Sequence, residues 1–265
     1  GTMSALVSGD RIGSWAVQHP IHLGVGAMYH CQHVQVANTQ ALVKVLTRDE
    51  GGRSESMFRR EVDALRTVDH PVVPKLVDYG SDVDRDLLWI ATESLEGVSL
   101  ADHLIEGPLD WRDACAVFHQ VASALRQVHL NALTHRNVNP SNILIEDGYN
   151  AKLVGFEFAL DEQGEAQASG APIGELGYAA PEAIAGKGTS GARADLYALG
   201  VVFHEALTGG AAFPPAAWGE KADARTRMLD LKTRSQPLDP GHVCPDWLAN
   251  LIRKATHPDA RERLP

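Results

Sequence analysis

The sequence predicts an α+β fold in two lobes, a small sheet carrying one helix and then a larger, mostly helical part. Three observations predict it. Residues 15 to about 95 hold short β-prone runs broken by a single helical stretch. After Gly97 the character changes and amphipathic helical stretches dominate. Only short strand-like pieces, "NILIE" and "NAKLVGF", interrupt them.

In order along the chain, "SWAVQHPIHL" and "AMYHCQHVQVA" carry short apolar, β-prone runs. "TQALVKVLT" follows across a turn signal at Asn38-Thr39. "SESMFRREVDALRTV" puts Met57, Val62, Leu65 and Val68 at helical spacing, with Ser54 or Ser56 as the expected cap. "KLVDYG" and "LLWIATESL" read as two more strands. A connector near 94–98 leads to "LADHLIEG", "WRDACAVFHQVASALRQVHLN", "ADLYALGVVFHEALTG", "ARTRMLDLKT" and "CPDWLANLIRKAT", all helical in pattern. The one long loop, about 157–177, is rich in Gly, Glu, Gln and Ala.

Bulk properties exclude several functions. The 265 residues carry 22% charged residues and a formal net charge of −10, with no basic stripe, so a nucleic-acid partner is not expected. No apolar run approaches a membrane span. Cys31, Cys115 and Cys244 are too few and too far apart for a disulfide framework, and a reducing, cytoplasmic setting is expected. His30 and His33 lie close together, but nothing nearby completes a metal site, so no metal is expected. Residues 1–14 read as a tag remnant (Gly1-Thr2-Met3) and an N-terminal extension, with one domain over 15–265 and a longer parent protein expected.

Seven motifs in order resemble the protein-kinase superfamily, most closely its bacterial members of the eukaryotic Ser/Thr type. "ALVKVL" resembles the strand whose lysine, here Lys44, pairs nucleotide phosphates. "FRREVDALRTVDHPVV" resembles the regulatory helix, with Glu61 as the lysine's partner. "ATESLEG" resembles the hinge, with Thr92 at the gatekeeper position and Glu93 to Leu95 as hinge backbone. "THRNVNPSNILI" resembles the catalytic loop, and "GELGYAAPE" the end of the activation segment. "RADLYALG" supplies Asp195 as a brace for that loop, and "HPDARERL" supplies Arg261 as the partner of Glu182. The resemblance implies a bilobal fold. Its antiparallel, five-stranded small lobe with one helix spans 15–95 and its mostly helical large lobe 96–265.

Against that family the bracing positions are kept and the chemical ones altered. The catalytic aspartate is Asn137, whose amide is no base. The phosphate-neutralising lysine two residues on is Asn139. In "VGFEFAL" the metal-binding aspartate is Gly155, the phenylalanine stays as Phe156, and the following glycine is Glu157, whose simplest reading is an exposed loop carboxylate. Asn142 remains, as a lone amide. The first two glycines of the phosphate loop fall on Ile21 and Leu23, and the third is Gly26. The alanine above adenine is Leu42, which with Met28 above and Leu144 below either fills the adenine slot or leans aside. The bridging threonine of the activation segment is Glu175. No threonine lies between Gly155 and Glu182, and the one non-tyrosine hydroxyl there is Ser169.

These losses imply a pseudokinase, a catalytically inactive regulatory and protein-interaction module. Its expected partners are other proteins, an active kinase or a second copy of itself. On that reading no cofactor is expected, with ATP and magnesium binding weak or absent, Ile21, Leu23 and Leu42 occlude the pocket, and Lys44, Glu61 and Asn142 are pocket remnants. His135, Phe156, Glu182, Asp195 and Arg261 are then structural, with His135, Phe156 and Leu65 stacked as a core column. Two other readings stay open. One is an unconventional ATP-using transferase with metal ligands from Glu157, Asp161 or Glu162, and the other a metal-independent nucleotide sensor.

Overall fold

The β-prone runs of the first hundred residues become β1 (Arg11–Ile12), β2 (Trp15–Ile21), β3 (Ala27–His33), β4 (Gln40–Thr47), β5 (Leu76–Asp82) and β6 (Leu87–Glu93). They form one antiparallel sheet in the order β1-β2-β3-β4-β6-β5. Five long strands are the expected ones, and the two-residue β1 adds a sixth at the edge. The sheet therefore starts ahead of the expected boundary at 15. Leu6 and Ile12 of the extension are buried with Trp15, Val17 and Trp89 in the core on one sheet face. The structure is a computed structural model that describes residues 5–24, 26–167, 174–186, 191–215 and 223–265. Gly1-Thr2-Met3 and Ser169 lie outside the described residues.

The helical stretch of the small lobe is α1 (Arg53–Thr67), which buries Met57, Glu61, Val62, Ala64 and Leu65. Neither serine caps it. Its N-terminal cap position is Gly52, in the left-handed region at φ 70°. The Ser54 N–H is satisfied by Asp49 Oδ1 at 2.9 Å instead, and Ser56 Oγ donates to the Gly52 carbonyl at 3.0 Å.

Past the connector lie β7 (Val98–Ser99), α2 (Leu100–His103), α3 (Trp111–Leu130), β8 (Leu133–Thr134), β9 (Ile143–Glu146), β10 (Asn150–Leu153), β11 (Leu160–Asp161), α4 (Glu162–Gln167), α5 (Pro181–Ala185), α6 (Gly191–Thr208), α7 (Ala224–Arg234) and α8 (Asp246–Ala255). Gly97 of the connector is required as glycine. Its φ is +117°, and a β-carbon there would lie 2.2 Å from the Ile145 carbonyl oxygen. On α3 the buried positions Ala114, Val117, Phe118, Val121, Ala124, Leu125 and Val128 form one stripe at helical spacing, and Asp110 caps the helix by accepting from Arg112 N–H at 2.9 Å. α6 is buried on nearly every side, as its mostly apolar sequence requires. Phe118 stacks on Phe203 of α6 at 4.1 Å between centroids.

The main core crosses the lobes. It runs from Val62 and Leu65 of α1 and Ile90 of β6 through Phe156 into the α3 and α6 faces. The active-site loops lie along this seam.

Candidate active site

The catalytic-loop stretch leaves β8, makes a one-turn 3₁₀ helix at Pro140–Asn142 and enters β9. Asp195 of α6 holds its start. One carboxylate oxygen accepts from His135 N–H at 2.8 Å and from His129 Nε2 at 2.8 Å, and the other from Arg136 N–H at 2.9 Å. These bonds fix Arg136 in the left-handed region, at φ 69°. Burial disfavours the Asp195 charge, but the His129 bond, the nearby His129 and His135 rings and the Arg136 N–H together outweigh it and hold the carboxyl below its ordinary range. His135 is wholly buried and its pKa is pushed down by that burial. Its Nε2 faces the Val154 carbonyl at 2.9 Å while its Nδ1 accepts from Asn137 N–H at 3.1 Å, which fits a neutral ring with the proton on Nε2. The ring meets Phe156 edge-on at 4.7 Å, above Leu65 in the same core.

Three amides and a carboxylate then form a chain. Asn139 Nδ2 donates to Asn137 Oδ1 at 3.0 Å, and Asn137 Nδ2 donates to Glu157 Oε1 at 2.9 Å. Asn142 Nδ2 donates to the Asn137 carbonyl at 2.8 Å. Glu157 is therefore not an exposed loop carboxylate. It is 0% exposed, because Gly155 turns the backbone at φ +83° into a short 3₁₀ helix that carries Glu157 inward. Its second oxygen accepts from Lys44 Nζ at 3.2 Å, beside Glu61, which accepts from the same Nζ at 2.8 Å. Burial works against the Lys44 charge, but the two carboxylates outweigh it and raise its pKa above the usual lysine value. Burial pushes Glu61 above the usual carboxylate range. Arg60, next to Glu61 on α1, donates from Nε to the Glu157 carbonyl at 2.8 Å. One helix thus holds both the lysine and the segment that carries Glu157.

The adenine slot is filled in this conformation. Leu23, Leu42, Leu95 and Leu144 form a buried cluster with Ile21, Met28 and Val154 packed against it. The cavity left between Leu23, Leu42, Thr92 and Leu95 is about 20 Å³, room for about one water. A second cavity of about 340 Å³ shares Leu23 and Met28 with the first and is lined also by Gly24, Ser99, Asp102 and Ser141.

The activation segment returns onto the loop. Gly174 N–H donates to the Arg136 carbonyl at 3.3 Å, and a β-carbon on Gly174 would lie 2.0 Å from Asn137 Oδ1. Arg136 Nε lies 3.5 Å from Glu165 Oε1 of α4. Glu175 lines a small cavity with Arg136 and Asn137, partial burial raises its carboxyl pKa, and its carbonyl accepts from the Tyr178 and Ala179 N–H groups. Tyr178 Oη bonds Glu205 at 2.8 Å, and the buried Lys232 donates to the carbonyls of Gly177 and Ala179 at 2.9 and 2.6 Å. The expected partner of Glu182 is corrected. Arg261 is exposed and forks onto Asp259, while Arg263, with its side chain fully buried, makes the bidentate pair with Glu182 and lies over the Tyr197 ring at 4.8 Å. The arginine two residues nearer the end of the motif reaches the core.

A nucleotide and a divalent cation can be tested against these residues. Magnesium takes oxygen donors, with one or two carboxylates completed by phosphate and water. Asn142 Oδ1 is buried with no partner, and Glu157 is linked to the same Asn137, so the donors fit. Lys44 fits a phosphate. Among the described residues no group of three or more His, Cys, Asp or Glu side chains forms an all-protein metal cage. The 20 Å³ left in the adenine slot is too small for a base in this conformation. Asp161 and Glu162 lie on the exposed β11–α4 turn, where Asp161 Oδ1 accepts from Gly164 N–H.

The two-lobed fold, the lysine–glutamate pair and the braced loop define a protein-kinase domain. The family model for the protein kinase domain matches residues 22–265, and the chain belongs to that family. It is similar to the serine/threonine-protein kinase PrkC of Bacillus subtilis (strain 168), 30% identical over 245 residues, covering 91% of this chain and 36% of the relative. It is similar also to the serine/threonine-protein kinase pkn2 of Myxococcus xanthus, 30% identical over 266 residues, covering 95% of this chain and 31% of the relative. A third relative is the serine/threonine-protein kinase SIK2 of Gallus gallus, 30% identical over 210 residues, covering 77% and 25%. The chain thus spans about a quarter to just over a third of the length of these relatives. These matches overturn the expectation of a catalytically inactive pseudokinase without cofactors. The relatives are named as kinases, and the family acts with ATP and magnesium. Among the described residues no helix is long and apolar enough to cross a membrane.

Proposed function

We propose that this chain transfers phosphate from ATP to hydroxyl groups of proteins. The observation that carries the reading is Glu157, which brings a buried carboxylate to Lys44 where Gly155 has none. The named kinases at 30% identity support it. In this reading Lys44 pairs phosphate oxygens, and Glu61 keeps the ammonium charged and aimed. Glu157 and Asn142 hold the cation, which when bound offsets phosphate charge. Asn137 orients the acceptor hydroxyl through Oδ1 and takes no proton; as the O–P bond forms and ADP leaves, the hydroxyl proton passes to an oxygen of the transferred phosphoryl group and on to solvent. Phosphoryl transfer relies mostly on positioning and electrostatics, so the missing base slows it by roughly 10²–10⁴-fold without abolishing it. A second copy of this chain is the first acceptor to test. The three free cysteines support a reducing setting such as the cytoplasm.

The test is incubation with γ-labelled ATP and magnesium or manganese, with and without a basic protein acceptor. Label is expected on serine or threonine, with a loss of at least about a hundredfold in Lys44→Met and in Glu157→Ala. No label above that of Lys44→Met refutes the reading.

A further inference from the structure

Both ends of the nucleotide cleft are occupied by groups of the chain itself. Leu23, 4% exposed, lines both the 20 Å³ and the 340 Å³ cavities, as does Met28. Its neighbour Gly24 donates from N–H to the Ser141 carbonyl at 3.0 Å. A β-carbon on Gly24 would lie 3.0 Å from the unpartnered Asn142 Oδ1. At the other end Glu157 holds the ammonium that a phosphate needs, at 3.2 Å. We propose that nucleotide binds by displacing these two stand-ins together: Leu23 leaves the slot, and Glu157 exchanges Lys44 for the cation.

Merging the cavities opens one cleft at the lower end of the size range of small-molecule sites. Gly24 sits at φ +68°, a conformation glycine adopts freely, so the segment can change path there at little cost. The charge argument couples the two ends. Phosphates and Glu157 compete for one buried ammonium, and their like charges repel strongly where water is excluded. A cation held by Glu157 and Asn142 turns that repulsion into attraction. Nucleotide and cation then bind with positive coupling, each raising the affinity of the other by the same factor. This inference rests on the kinase reading above.

Calorimetric titration with ATP, with and without magnesium, tests it on the wild-type chain, Leu23→Ala and Glu157→Gln, each checked for folding by its melting curve. Leu23→Ala is expected to bind ATP–magnesium about 10- to 100-fold more tightly, the factor carried by burial of one leucine side chain. Glu157→Gln is expected to bind metal-free ATP more tightly than the wild type and to lose most of the gain from magnesium. In stopped flow the wild-type association rate is expected to saturate with ATP concentration, because the closed form must open first. An affinity of Leu23→Ala within twofold of the wild type, or a full magnesium gain in Glu157→Gln, overturns the proposal. Labelled transfer by the wild type alongside either result leaves the kinase reading standing. Absence of nucleotide binding in all three proteins overturns both.

Discussion

Asp195→Asn changes one oxygen to an NH₂ and almost nothing in volume, so its effect reports the brace alone. Asp195 is 1% exposed and receives three donors, two at one oxygen and one at the other. The better rotamer of asparagine keeps its oxygen towards His129 and the His135 N–H. Its NH₂ then faces the Arg136 N–H, donor against donor. Two charge-assisted bonds become neutral ones and one buried donor loses its acceptor, at about 1–3 kcal/mol for the orphan and about half the strength of each retained bond. The expected cost is about 2–4 kcal/mol, a large share of a stability of about 5–15 kcal/mol. Urea unfolding followed by circular dichroism at pH 7 measures it as a lowered midpoint with an unchanged slope. The pH dependence gives a second reading. The folded pKa is depressed, so the stabilisation is fully present above the unfolded value of about 3.9 and is lost as pH falls through the lower folded value. The difference between wild type and variant must therefore shrink below about pH 4. A cost under about 1 kcal/mol at pH 7 would refute the brace.

Other substitutions test separate contacts. Gly155→Ala puts a β-carbon 2.4 Å from Asn142 at a positive φ; about 2–4 kcal/mol of destabilisation is expected in urea, and a neutral result would exclude the tight Gly155–Asn142 approach. Arg263→Ala should cost about 2–4 kcal/mol by removing a buried guanidinium from the Tyr197 ring and from the partly exposed Glu182, whereas Arg261→Ala, exposed on Asp259, should leave the melting midpoint unchanged; the reverse order in thermal melts would restore the sequence-based assignment. Burial pushes the Cys31 thiol up to about 12, so maleimide at pH 8 should leave Cys31 unlabelled in the folded chain while modifying the half-buried Cys115, as mass spectrometry of the digest will read.

Much of this was legible in the sequence, for definite reasons. Lys44, Glu61, His135 and Asp195 stand in long motifs with fixed spacing, and local spacing is what a sequence displays. Leu42 beneath Met28 and above Leu144 was legible because strand alternation fixes which side chains share a layer. The fate of Glu157 was not legible. Its burial follows from the positive φ of Gly155, which glycine allows but no pattern announces. The Arg263 pairing was missed for a related reason. Arg261 lies inside a one-turn 3₁₀ segment and Arg263 is the extended residue just after it, a difference of backbone that the spacing of two arginines does not display. The α1 cap was missed because a glycine turn satisfied by Asp49 leaves no serine signal. The functional inference went furthest astray. Glu157 was weighed as a substitute metal ligand but read as an exposed loop carboxylate, so the lost side chains were counted without the buried carboxylate that stands beside Lys44.

The core that crosses the lobes has a mechanical consequence. Leu65 of α1 and Phe156, which the His135 ring meets edge-on, belong to one continuous cluster that also contains the α3 and α6 faces. Pulling the lobes straight apart would expose that apolar interior, whereas sliding α1 along Phe156 keeps it dry. The cleft can therefore gape at its front edge, beside Leu23, while its rear stays closed like the spine of a book. Heat should melt the two halves in one cooperative step, since neither keeps a complete interior once the other has gone.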